Sequence, residues 1–359
     1  MVERRRDLPL TDVLALQQAA CEQAGSSLYA RILAGMADDV RAGGTCAQIL
    51  RPWAGNAMAD AVPLRFLAAV HALVLTGRAP ALARFYPSAG GTDEGDPVPA
   101  FLAVASEHRA DIDAAMPLAV QTNEVGRAAA LFGGFHAVAR RWGLPLRQLE
   151  VGASAGLLLR WDRYGYRART GTPDELRWGP TDGLVFDEPW VDRLPGVADD
   201  LVVAERRGCD QAPIDPTTDE GATRLRSFLW PDQVERLARL DAAIEVARRV
   251  PVAVDRADAA DWIEAQLAEP APGRATVVHH SIVLQYLSRD TFLRLRAAIE
   301  QAGAAATPDA PVHWLRMEPA GDVADVRLST WPGRHGGHDE QLLATTGYHG
   351  PPVRWLAQA

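Results

Sequence analysis

Residues 147–162 read RQLEVGASAGLLLRWD. An apolar run carries one acid, Glu150. Five small residues follow, Gly152, Ala153, Ser154, Ala155 and Gly156, and then an apolar and basic segment that reads as a helix. Small residues let a ligand approach the backbone closely, and a helix opening behind them presents unpaired N–H groups. The plainer alternative is an ordinary strand-to-helix turn. Residues 277–286 read VVHHSIVLQY. A histidine just past a strand's carboxyl end can accept a proton near neutral pH. His280 is therefore the candidate base, with Ser281 and Gln285 as orienting groups; the alternative is a structural histidine beside the next helix. Residues 255–262 read DRADAADW, placing Asp258 and Ala259 between a strand and a helix, with Trp262 one turn on. They suit either a ring-binding edge or a helix cap over a packed indole. Residues 121–127 read QTNEVGR. Thr122 or Asn123 can cap a helix, and Arg127 can pair with a carboxylate.

The elements that must position these groups change in kind near residue 146. Before it, apolar residues recur at helical spacing over residues 12–23, 27–42, 63–76, 101–116 and 124–142, with a polar loop over 88–99. After it, strands and helices alternate: strands over 146–151, 201–205, 252–255, 275–279, 312–317, 326–330 and 353–356, and helices over 223–249, 260–268 and 290–302. Pro231 is expected to kink the first of these helices. Residues 164–200 read as an insertion with one hairpin, and the last two strands as an antiparallel pair across a long polar loop. The expectation is a helical domain over residues 1–145 and a mostly parallel α/β domain over 146–359.

Acid-x-Gly-x-x-x-Gly after a first strand resembles motif I of class I S-adenosylmethionine (SAM) dependent methyltransferases, with Ser154 where that family's middle glycine stands. The resemblance implies a Rossmann-like core closed by an antiparallel C-terminal hairpin. It implies SAM contacts from Glu150, Gly152, Ala153, Ser154 and Gly156, from Asp258, Ala259 and Trp262 at the adenine, and from Asn123 and Arg127 at the cofactor's carboxylate. It also implies an acid ending the second strand at the ribose, for which Glu205 and Asp210 both qualify, and it puts His280 and Ser281 beside the transferable methyl group. No Asn/Asp-Pro-Pro-aromatic motif stands there. The same turn spells G-x-S-x-G, which is similar to the nucleophile elbow of α/β-hydrolases with Ser154 as nucleophile. That fold places strands before its elbow, and helices precede this one. Taken together, QTNEVGR, LEVGASAGL with WDRYGY, RRGCDQAPID, LWPDQVERLARLDAAI and HHSIVLQYL resemble an uncharacterised bacterial family, domain-of-unknown-function family 2332, whose name implies no activity.

Composition narrows the chemistry. The 359 residues carry a net charge of -9, which argues against nucleic acid as a bulk partner. All 37 basic residues other than histidine are arginine. A Schiff-base lysine and a Walker lysine are therefore excluded. Cys21, Cys46 and Cys209 have neither zinc nor disulfide spacing, so a cytoplasmic setting is expected. No apolar run is long enough to span a bilayer, and the arginine-rich start does not read as a signal peptide. His335, His338 and His349, with Asp339, read as polar loop, and no metal is expected. The expected function is SAM-dependent methyl transfer to a small molecule held between helical domain and core. The alternatives are an esterase using Ser154 and a non-catalytic SAM-binding or interaction module on the same fold.

Overall fold

The computed structural model describes residues 8–58, 60–169 and 175–357. Seven helices come first: α1 (Leu10–Gln23), α2 (Ser27–Ala42), α3 (Thr45–Leu50), α4 (Val62–Leu75), α5 (Pro80–Ala83), α6 (Val98–Glu107) and α7 (Arg109–Ala115). Then come α8 (Arg127–Trp142), β1 (Leu146–Val151), β2 (Gly165–Arg169), β3 (Glu175–Trp178), β4 (Val185–Asp187), β5 (Trp190–Val191) and β6 (Val203–Asp210). The remainder is α9 (Asp219–Ser227), α10 (Val234–Arg249), β7 (Ala253–Arg256), α11 (Ala259–Leu267), β8 (Ala275–Ser281), α12 (Arg289–Ala304), β9 (Val312–Ala320), β10 (Val323–Trp331), β11 (Asp339–Gly347) and β12 (Gly350–Trp355).

The chain divides into two compact units, Met1–Thr122 with Thr218–Ala238, and Asn123–Thr217 with Arg239–Ala359. The first is helical. Its core joins Leu14, Ile32, Leu33, Phe66, Phe101 and Tyr86, with Phe66 and Phe101 edge to face at 5.7 Å. Helix α9 belongs here and packs on α4; the Thr218 hydroxyl caps it by accepting from Gly221 N at 3.0 Å. The single helix expected over 223–249 is two, because Pro231 supplies no N–H and disfavours helical backbone at Trp230.

The second unit does not begin at residue 146. Helix α8 lies across β8 to β12 and belongs with the sheet. Two glycines make that approach possible. A Cβ on Gly134 would meet Leu315 Cδ1 at 2.4 Å, and one on Gly133 would meet Trp355 at 2.4 Å. The nine-stranded sheet runs β5-β12-β11-β10-β9-β8-β1-β6-β7. Strands β7, β6, β1, β8 and β9 are mutually parallel, and β9 to β12 form an antiparallel meander. In chain order the parallel strands stand 3-2-1-4-5, so the order reverses between β1 and β8. Helices α11 and α12 cover the face carrying Leu149, Val151 and Val278.

Three details correct the sequence reading. The closing pair is not 326–330 with 353–356, because β11 lies between them. Its first half is exposed and polar, with Glu340 bonded to Arg316 and Arg327, so it imitates a loop. The insertion holds a three-stranded sheet, β3-β2-β4, instead of one hairpin. Stacked rings carry it: Phe135 on Trp161 at 4.5 Å and Trp161 on Trp178 at 5.5 Å. Finally, no α-helix follows the small-residue turn; Leu158–Arg163 is a single 3-10 segment leading into β2.

Candidate functional site: the carboxyl edge of the parallel strands

The turn after β1 is a left-handed path. Gly152, Ser154 and Gly156 have φ of 69°, 53° and 67°. Four of its N–H groups are committed to the protein. Ala153 N donates to Cys209 O (2.9 Å), Ser154 N to Asp210 Oδ2 (2.9 Å), Gly156 N to Ala153 O (2.7 Å) and Leu157 N to Asn123 Oδ1 (2.8 Å). These four donors are therefore not part of an open fan at a helix start, because Cys209, Asp210, Ala153 and Asn123 take them. A Cβ on Gly152 would meet Val283 Cγ2 at 2.5 Å, and one on Gly156 would meet Val252 and Val254 at 2.9 and 3.0 Å. Ala153 and Ala155 are buried.

Charged side chains surround the turn. Glu150 is 1% exposed, and its Oε2 has no hydrogen-bond partner among the described residues. Burial, reinforced by the Asp210 carboxylate, pushes its carboxyl well above the ordinary range; Arg160 and Arg127 pull the other way and lose. Arg127 Nε donates to Tyr348 O (2.9 Å) and Nη1 to Ser281 O (3.0 Å), so it ties the ends of β8 and of the meander together. Arg160 was not singled out from sequence. It is 3% exposed and donates to Val250 O, Ala155 O and Gly156 O at 2.7, 3.3 and 2.8 Å, which locks the turn from below. Its only sequence signal was a basic residue inside an apolar run.

The second parallel strand ends in an acid, and an acid follows two residues after the third. Asp210 closes β6, and its two oxygens accept from Ser154 N and from Ala212 N (2.8 Å). Glu205 lies nearer the amino end, paired with Arg147 (3.3 Å) and Arg274 (3.0 Å), so Asp210 is the strand-end acid. Ala257 N donates to Asp210 O at 3.1 Å, which brings Asp258 alongside. Asp258 caps α11 through Ala260 N (2.8 Å) and Asp261 N (3.4 Å). Ala259 is buried; Trp262 is 6% exposed in the core, its Nε1 donating to Asp255 Oδ2 at 2.7 Å. No indole face is left open at this point.

Both β8 histidines are fully buried. Trp314 Nε1 donates to His280 Nε2 (2.9 Å), so that nitrogen is the acceptor and Nδ1–H donates to Glu318 Oε1 (2.6 Å). With both nitrogens committed, His280 has no lone pair for a substrate; the base role is corrected to that of a group orienting Glu318. His279 points to the opposite face, edge-on to Phe135 at 5.1 Å. Burial lowers it to about 3, and it is in register with Glu150 across β1 and β8. Ser281 is 6% exposed, with its carbonyl held by Arg127. Gln285 is exposed.

A cleft of about 230 Å³ lies at the other edge of the sheet, among Arg147, Thr276, Val312 and the ends of α11 and α12, and it includes none of these residues. His338 stacks on Trp331 at 5.3 Å, and His349 Nδ1 is 3.6 Å from Glu124 Oε2. Among the described residues no group of three His, Cys, Asp or Glu is placed to hold a metal ion, and no helix is long and apolar enough to cross a membrane.

Fold and site together define a mixed α/β protein with a mostly parallel sheet and a polar carboxyl edge. The family described as "Uncharacterized protein conserved in bacteria (DUF2332)" matches residues 12–355, and the chain belongs to it. No curated protein and no solved structure matches the chain.

Proposed function

We propose that this chain is a SAM-dependent methyltransferase acting on a small molecule, with a class I methyltransferase type of core. The observation that carries the reading is the 3-2-1-4-5 order of the parallel strands with a Gly-rich turn after the first. In open sheets of this kind, ligands bind outside the carboxyl ends at the point where strand order reverses. Acids supply the second support. SAM carries a cationic ammonium and sulfonium and a ribose diol, and the edge offers Glu150 with one orphaned oxygen, then Asp210, then Asp258. That donor set fits the cofactor's chemistry. The antiparallel meander and the missing helix after the turn depart from the methyltransferase pattern.

When bound, the cofactor supplies a methyl group on an electrophilic sulfonium. The chain's residues position it. Glu150, held protonated in the free chain, would give up its proton on facing the ammonium, with Asp210 at the ribose hydroxyls and Asp258 at the adenine amino group. Arg160 and Asn123 keep the turn in its left-handed path, and Arg127 holds the ends of β8 and the meander. Positioning is the principal contribution a protein makes to an in-line displacement at carbon.

Titration calorimetry with SAM and with its demethylated product tests the reading. Micromolar binding by wild type, weakened at least tenfold in Asp210→Ala, is the expected result. A folded wild type that binds neither compound overturns it.

A further inference from the structure

The turn leaving β8 sits over the glycine turn in a backbone state that its residues do not favour. Ile282 has φ of 55°, and it is β-branched, so this left-handed conformation is an outlier for its type. Such conformations persist only where neighbours over-determine them. Here the neighbours are specific. Ile282 N donates to Met317 O at 2.9 Å. Val283 N and Leu284 N both donate to Glu318 Oε1, at 3.0 and 3.5 Å. The same oxygen accepts His280 Nδ1–H, and His280 is fixed in turn by Trp314. One carboxylate oxygen thus holds three donors, while Glu318 Oε2 is buried without a partner among the described residues.

The result of this hold is the placement of Val283. Its Cγ2 occupies the space beside Gly152 where a Cβ would stand, at the point of strand reversal. Leu284 and Leu287 pack on the core, whereas Tyr286, at the end of the same turn, is 77% exposed. The segment's base is held by Met317 O, by Glu318 and by the packing of Val283, Leu284 and Leu287, and its tip is in solvent. Removing the Glu318 contacts takes away the side-chain hold on Val283 N and Leu284 N and leaves the strained Ile282 with its single backbone bond to Met317 O.

We propose that residues 282–286 are a gate over Gly152, latched shut by Glu318, with His280 as the positioning residue that presents Glu318 Oε1 to the turn. Ligand access to the glycine turn requires Val283 to leave. The ligand arm of this inference rests on the methyltransferase reading; the latch itself does not.

Amide hydrogen exchange and SAM titration on the full chain test it together. In Glu318→Ala, amides of residues 282–286 exchange at least tenfold faster, while those of β1 and β8 keep their protection. Glu318→Gln, whose amide oxygen can still accept, restores most of the protection. Val283→Ala clears Gly152 without breaking the latch hydrogen bonds and tightens SAM binding. In Glu318→Ala, affinity improves by a factor no larger than the rise in opening, because apparent affinity scales with the competent fraction. Unchanged exchange in a folded Glu318→Ala overturns the latch. Faster exchange with SAM affinity identical in wild type and both alanine variants overturns the gate. Faster exchange with no SAM binding by any protein upholds the latch and overturns the methyltransferase reading.

Discussion

Replacing Glu150 with glutamine isolates the protonation state of the most deeply placed acid at the site. Glu150 is 1% exposed, and burial together with Asp210 raises its carboxyl against the pull of Arg160 and Arg127. Its folded value lies well above the ordinary 4.5. The unfolded chain therefore gives up this proton first as pH rises. The stability tied to a neutral Glu150 is fully present below pH 4.5 and is lost as pH climbs toward the folded value. The slope is at most ~1.4 kcal/mol per pH unit. Glutamine has nearly the same shape and no titration, so Glu150→Gln escapes the loss. As pH rises above 4.5, the variant should gain steadily on wild type, with a slope no steeper than that limit. Urea unfolding followed by tryptophan fluorescence suits this measurement. Of the ten tryptophans, only Trp53 and Trp230 lie outside the unit that contains Glu150. A wild-type minus variant difference that stays flat over this range would mean that Glu150 is ionised and held by Arg127 and Arg160, and would refute the reasoning.

Two further changes probe the turn. Gly152→Ala puts a Cβ on a residue at φ 69° and within 2.5 Å of Val283 Cγ2. It should cost about 1–2 kcal/mol for the backbone alone, and more from the clash. Adding Val283→Ala should recover the clash component in thermal unfolding, and a double variant no more stable than Gly152→Ala would contradict the contact. Ser154 should resist a serine-reactive fluorophosphonate. It is 7% exposed, and the described buried histidines of its unit are bonded elsewhere or, like His279, bonded to nothing. Its G-x-S-x-G setting after a strand and its φ of 53° are shared with a nucleophile elbow. Stoichiometric labelling abolished by Ser154→Ala would favour the hydrolase instead.

The sequence by itself determined the element types where periodicity was strong, because burial of one face dictates it: the helices of the first unit, the strands through Leu149, Val254 and Val278, and helices α11 and α12. It also located the edge residues, since Glu150, Gly152, Gly156 and Asp258 announce a turn or cap by residue type alone. The tertiary structure decided what each of them does. Arg160 became a clamp because its guanidinium meets three carbonyls from two separate segments, a convergence that no local pattern encodes. Asp210 was chosen over Glu205 by strand register, which sequence leaves open by several residues. Strand β11 was hidden because its first residues satisfy themselves with arginines instead of burial. The division between units is not legible in the sequence because α8 reads like the helices before it, while the close approach of Gly133 and Gly134 to Trp355 and Leu315, with Arg127 and Phe135 meeting the sheet, binds it there. His280 shows the limit most clearly. Its type and position suit a base, but Trp314 and Glu318, more than thirty residues away, fix both nitrogens and turn it into a support. Residue types set which chemistry is available; long-range partners determine which lone pairs remain to perform it.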